Sequence, residues 1–143
     1  DFFLYDVREN WELRNNEWHV ERSNGTAVQH GPPVRMDCSY LVTAWASQSA
    51  PDPTQDEHRL LGEVVKVLVR HRRLPVAVLQ GSLQGQEPPL RAKVLQTTYL
   101  QSLGEFWQAL GGRPRAALHY TVTISVPVGE PQELGSVVMT KSI

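Results

Sequence analysis

An α+β fold, with a mostly antiparallel mixed sheet covered by two helices, is predicted from three observations. Residues 34–46 form an unbroken run of β-branched, aromatic and small side chains without Gly or Pro, the mark of a strand buried on both faces. Next, Leu60, Leu61, Val64, Val65 and Leu68 recur at helical spacing. Finally, residues 117–128 alternate, with Leu118, Tyr120, Val122, Ile124 and Val126 on one face and His119, Thr121, Thr123 and Ser125 on the other.

Residues 2–7 form a short aromatic and aliphatic strand, and the polar run Arg8-Glu9-Asn10 with residues 13–16 turns the chain. Residues 17–22 and 26–29 flank Ser23-Asn24-Gly25, where Asn and Gly both tolerate positive φ, so a polar hairpin is predicted. His30-Gly31-Pro32-Pro33 ends it and leads into the central strand. A breaker cluster over residues 47–52 follows. Asp52 is then the N-cap, Pro53 suits the first helical position, and Gln55 stands where a capping box needs it. Asp56 and Glu57 at the start and Arg70, His71, Arg72 and Arg73 at the end complement the helix dipole, and Pro75 stops the helix.

Beyond it, residues 76–83 are predicted as extended, residues 81–89 as a Gly, Gln and Pro loop, and residues 90–96 as a returning strand. The second helix begins after Ser102, with Glu105 completing a capping box. Its apolar stripe is Leu103, Phe106, Trp107 and Leu110, and Gly111-Gly112 ends it. The organisation is a single domain over residues 1–128 and a carboxyl-terminal arm over residues 129–143. Pro127, Gly129 and Pro131 interrupt the last strand, and residues 134–140 regain strand propensity but need a host, in the same chain or in a neighbour.

The 143 residues and 41% hydrophobic content suffice for one core. With 14 Lys plus Arg against 15 Asp plus Glu, the charge balance points to neither nucleic acid nor an anionic membrane. Apolar runs fall well short of the ~20 residues that span a bilayer. The lone Cys38 excludes an internal disulfide framework and suits a cytosolic folding compartment. Because the first residue is Asp1, the chain is expected to be a segment of a longer protein.

Catalytic and cofactor patterns are not found. The five histidines show no zinc spacing, and His58 beside Asp56 and Glu57 reads as a solvated helix start rather than a metal site. Gly81 and Gly85 are not in phosphate-loop register, and no nucleophile elbow assembles a triad. Cys38 in mid-strand reads as an inert packed thiol. The Arg70 to Arg73 cluster is either an acidic or phosphate site or dipole compensation. Trp45 and Trp107 are assigned to the core. Trp11 and Trp18 lie in polar surroundings, which makes them candidate protein-contact residues as well as candidates for packing on the core.

The ordered blocks Tyr40-Leu41-Val42-Thr43-Ala44-Trp45-Ala46, His58-Arg59-Leu60-Leu61-Gly62 and Leu74-Pro75 resemble the cap, or tail-terminator, family of phage-tail-like contractile injection systems of the virulence-cassette and antifeeding-prophage type. Leu4-Tyr5-Asp6-Val7-Arg8-Glu9-Asn10, Leu13-Arg14-Asn15, residues 103–111 and residues 120–126 extend the match over most of the chain. The resemblance implies a tail-terminator-like fold and a non-enzymatic structural subunit without cofactors. It implies a homo-hexamer bound to inner tube protein and sheath protein, assembled in the bacterial cytoplasm and then carried in the particle. The alternative is a small α+β enzyme or a monomeric adaptor module. Further candidate protein-contact residues are Gln84 and Gln86, in the polar loop over residues 80–89, and Val137, Val138 and Met139 in the arm.

Overall fold

The computed structural model describes residues 1–96 and 103–136. Among these the order is β1 (Phe2–Glu9), β2 (His19–Ser23), β3 (Thr26–His30), β4 (Val34–Thr43), α1 (Pro53–Arg70), β5 (Arg91–Val94), α2 (Leu103–Ala109), β6 (Ala117–Val126) and β7 (Gln132–Ser136). The α+β class holds, and every described strand pair is antiparallel. The strands divide into two sheets, one ordered β1-β4-β6-β5 and one ordered β2-β3-β7.

β4 and β6 pair without interruption from Val34↔Val126 to Thr43↔Ala117, and β1 lies on the open side of β4. Cross-strand partners share a face of the sheet. One face therefore carries Val42, Tyr120 and Ala92, a buried cluster on which Val64 and Leu68 of α1 pack. The opposite face carries Ser39, Leu41, Thr43, Thr123 and Ser125, all buried. The short helix α2 lies on that side, with the Phe106 ring 5.7 Å from Phe3, the cross-strand partner of Leu41.

Local chemistry explains the helix and hairpin ends. The Asp52 side chain accepts from the Gln55 N–H at 3.1 Å, and Pro53 occupies the first turn. In the β2–β3 turn, Asn24 has φ 51° and Gly25 φ 79°, matching the twist of a two-residue hairpin. Gly111, at φ 67°, closes α2, where the Gly112 N–H reaches the Trp107 carbonyl at 3.0 Å. Ser102 lies outside the described residues.

Several expectations are corrected. Residues 76–83 are not extended but form two 3-10 turns, Val76–Val78 and Gly81–Leu83. The carbonyls of Pro75 and Val76 accept from Val78 and Leu79, both at 3.1 Å, and Gly81 turns left-handed at φ 57°. Only Leu79 of the first turn and its end is buried, whereas Val76 is 76% exposed. The returning strand is shortened to Arg91–Val94, since Leu95 takes φ 60°. β4 ends at Thr43, which leaves Trp45 beyond the sheet and 54% exposed rather than in the core. Trp107 is 6% exposed, but Leu110 of the same predicted stripe lies outside the packed face.

Adjacent leucines on α1 test this packing. Leu61 is 8% exposed and Leu60 52%. Leu61→Ala is expected to lower unfolding free energy by about 2–5 kcal/mol through a cavity, and Leu60→Ala by no more than about 0.5 kcal/mol. Denaturant titration reads both, and equal midpoints for the two variants would contradict the helix orientation.

Candidate functional site

The turn after β1 holds the first two candidates. The Asn10 side chain caps the 3-10 turn Trp11–Leu13 by accepting from the Leu13 N–H at 3.1 Å. Its Nδ2 donates to Asp37 at 2.9 Å and its backbone N–H to the Arg35 carbonyl at 2.8 Å, so the turn is tied to β4. Trp11 is 66% exposed above this anchored base, with the Arg14 guanidinium 4.7 Å from its ring. Trp18 is half-exposed just before β2 and lies over Gly31, where a Cβ would meet its ring at 3.4 Å. Both rings are thus presented at the surface by local anchoring.

Gln84 and Gln86 order the loop between α1 and β5. Gln84 Nε2 donates to the Leu79 carbonyl at 3.0 Å. Gln86 Nε2 donates to the Ser125 carbonyl at 2.9 Å, and Gln86 Oε1 accepts from the Ser125 N–H at 3.0 Å. β5 ends its pairing at Arg91↔Thr123, so the Gln86 amide takes the place of a strand residue on the uncovered end of β6. A sequence signal for this exists only in hindsight, because any loop glutamine carries the same two groups. Val137, Val138 and Met139 lie outside the described residues.

An apolar groove of about 420 Å³ opens on the α1 side of the sheet, lined by Phe2, Tyr40, Tyr120, Val122, Leu79 and Leu83 among others. Phe2 meets Tyr40 and Tyr120 edge-on at 6.4 and 6.2 Å. Beside it, Leu4 and Val7 of edge strand β1 and Val76 and Val78 of the 3-10 turn are exposed. Cys38 also lines the groove, and burial, then the Asp37 charge, pushes its thiol up, away from the reactive thiolate.

A polar clasp fixes the other end of β4. Glu57 accepts from the Ala46 N–H at 3.2 Å and from Arg115 at 2.6 Å, and the Arg115 guanidinium stacks 3.9 Å from the Trp45 ring. Trp45 Nε1 donates to Thr43 at 2.9 Å. The Ala46 bond, and then the Arg115 hydrogen bond and charge, hold the Glu57 carboxyl below its ordinary range, with desolvation opposing.

On the sheet face toward α2, Thr123 donates to Asp37 at 2.6 Å, and the Ser39 and Thr121 hydroxyls lie 3.1 Å apart. The Tyr5 hydroxyl lies 3.3 Å from His119 Nδ1, and burial lowers the His119 pKa. Arg35 is likewise lowered, by burial and then by Arg91, with Asp37 offsetting part. Among the described residues no group of three His, Cys, Asp or Glu could hold a metal ion. Nor is any described helix long and apolar enough to cross a membrane. His58 is exposed on α1.

Two measurements check these contacts. Gln86→Ala is expected to cost about 1–3 kcal/mol, because Ser125 loses partners for both backbone groups. Amide exchange at Ser125 accelerates with it, and unchanged exchange would contradict the strand-substitute role. For Glu57 the folded-state pKa lies below the unfolded one. Its stabilisation is therefore present above the ordinary carboxylate range and is lost as pH falls through the lowered value. The thermal midpoint gap between the protein and Glu57→Gln narrows on acidification. A gap constant with pH would exclude an ionised clasp.

The family described as the Pvc16 N-terminal domain matches residues 1–140. The fold is similar to a solved PVC sheath/tube terminator of an extracellular contractile injection system in its extended state. Identity is 31% and the TM-score 0.68, over 99% of this chain and 47% of that one. It is similar also to the solved anti-feeding prophage cap, a tube terminating cap, at 29% identity and TM-score 0.68, over 99% of this chain and 48% of that one. The chain thus spans about half the length of the solved structures it matches. Among curated proteins nothing matches. On the match over residues 1–140 and the shared fold, the chain belongs to the Pvc16 N-terminal domain family.

Proposed function

We propose that this chain is a structural, non-enzymatic part of a terminator cap that ends the inner tube and anchors the sheath of a contractile injection particle. The observation that carries this is the likeness over 99% of the chain to two solved terminators, at 31% and 29% identity. The mechanism is stoichiometric. A cap seated on the last tube ring leaves no surface for the next ring and so fixes length. The same cap, bound to the last sheath layer, couples sheath movement to the tube.

Six copies around the tube axis are the arrangement we favour, with tube protein on one side and sheath protein at the rim. Assembly takes place in the bacterial cytoplasm, and the chain is then carried in the particle, intracellular or released. The surface supports an assembly role, since exposed Trp11, Val76 and Val78 are apolar groups held on 3-10 turns and exposed Trp18 packs over Gly31. Val137, Val138 and Met139 remain proposed contact residues of the arm.

The test is particle length. Removing the chain is expected to broaden the tube-length distribution seen by electron microscopy, and restoring it to narrow the distribution again. An unchanged distribution would overturn the cap role. Val76→Asp combined with Val78→Asp is expected to shift stability by no more than about 0.5 kcal/mol, because both sites are exposed. Capped particles would nevertheless fall in number. Full capping by a folded double variant would remove this turn from the contact surface.

A further inference from the structure

A pocket of about 340 Å³ lies where the turn after β1 meets the start of β5, with Arg35, Arg91, Asn15 and Glu87 on its walls between Pro33 and Pro88. Arg35 is only 6% exposed, yet its Nε has no hydrogen-bond partner. A buried guanidinium N–H without an acceptor keeps its desolvation cost, and so marks a place where an acceptor belongs. Asp37, two residues along β4, is already engaged by Thr123 at 2.6 Å and Asn10 at 2.9 Å. Among the described residues no ion pair involves Arg35 or Arg91.

Neighbouring groups raise the positive potential further. Arg91 forms an isolated antiparallel bridge with Arg73, which sets two like charges side by side on the sheet edge. Asn15 Oδ1 accepts from the Glu17 N–H at 2.9 Å, so its Nδ2 group is the part left to donate. Against the two guanidiniums stands Glu87, which leaves one net positive charge on the pocket walls, while beyond the walls the Asp37 carboxylate near Arg35 offsets the Arg73 charge near Arg91.

We propose that this pocket binds a single carboxylate, held by Arg35 and Arg91 with Asn15 as a further donor. A planar monoanion matches both the guanidinium fork and the one unbalanced charge. A phosphate dianion exceeds that charge and meets Glu87. The carboxylate comes either from an acidic side chain of another protein or from a free monocarboxylic acid.

Titrating the isotope-labelled chain and following the Arg35 Nε–H resonance tests this directly. Acetate and the blocked tripeptide Gly-Glu-Gly are the probes, with chloride, inorganic phosphate and blocked Gly-Gln-Gly as controls at equal ionic strength. A saturable shift with acetate is expected, weakened about tenfold in Arg91→Gln, a change at an exposed position. Equal or tighter binding of the Glu tripeptide assigns the site to a protein side chain, and exclusion of the tripeptide assigns it to a free acid. The proposal is overturned if chloride gives the same shift, if phosphate binds more tightly than acetate, if the Gln tripeptide matches the Glu tripeptide, or if Arg91→Gln binds undiminished. No assembled particle is needed, so the outcome stands apart from the proposed cap role.

Discussion

Everything else in this chain rests on the antiparallel ladder between β4 and β6, paired continuously from Val34↔Val126 to Thr43↔Ala117. Ten register pairs on two strands far apart in sequence must form before either face can be covered. Once formed, the ladder places Val42 and Tyr120 toward α1 and Leu41 and Thr123 toward α2. A slip of one residue would exchange these faces and bring Asp37 onto the apolar one, so the register is strongly specified.

The two faces are held by different forces. Toward α1 the contacts are apolar and nondirectional, through Val64, Leu68 and the aromatic cluster around Phe2. Toward α2 the strands carry Arg35, Asp37, Ser39, Thr121 and Thr123, and most of their side chains find partners across β4, β6 and the turn after β1. Directional bonds of this kind penalise alternative pairings, because an unpaired buried polar group is costly. Gln86 extends the same logic to the end of β6 with a side-chain amide.

The remaining surface presents apolar groups from hydrogen-bonded turns. Trp11 stands on a turn capped by Asn10, and Val76 on a turn closed by its own backbone. Ordered presentation lowers the entropy lost on association, which suits a subunit whose proposed task is to seat on a repeating assembly. The β1 strand, outermost of its sheet among the described residues, adds Phe2, Leu4 and Val7, each half-exposed. Positive φ calls for glycine at the hairpin Gly25, at Gly81 in the second 3-10 turn and at Gly111, which ends α2.

What the sequence determined by itself was whatever depends on neighbours along the chain. Helix α1 and its Asp52 cap, the Asn24-Gly25 hairpin, the Gly111 stop and the alternation of β6 follow from local periodicity and local backbone preference. The ordered blocks also carried the family resemblance, since packing residues keep their spacing when the fold is kept. Tertiary structure decided what depends on contacts across long separations. Residues 76–83 have strand propensity but no strand to pair with, so the backbone closes into 3-10 turns. Trp45 has the composition of core, yet β4 ends two residues earlier and Arg115, seventy residues away in sequence, stacks on its exposed ring. β7 joins the β2–β3 hairpin rather than the main sheet because β3 offers the open edge within reach. The polar face of β6 reads as solvated until Asp37 and Ser39 of β4 meet Thr123 and Thr121, with Asn10 of the turn after β1 holding Asp37. That outcome is set by pairing register, which no single stretch of sequence contains.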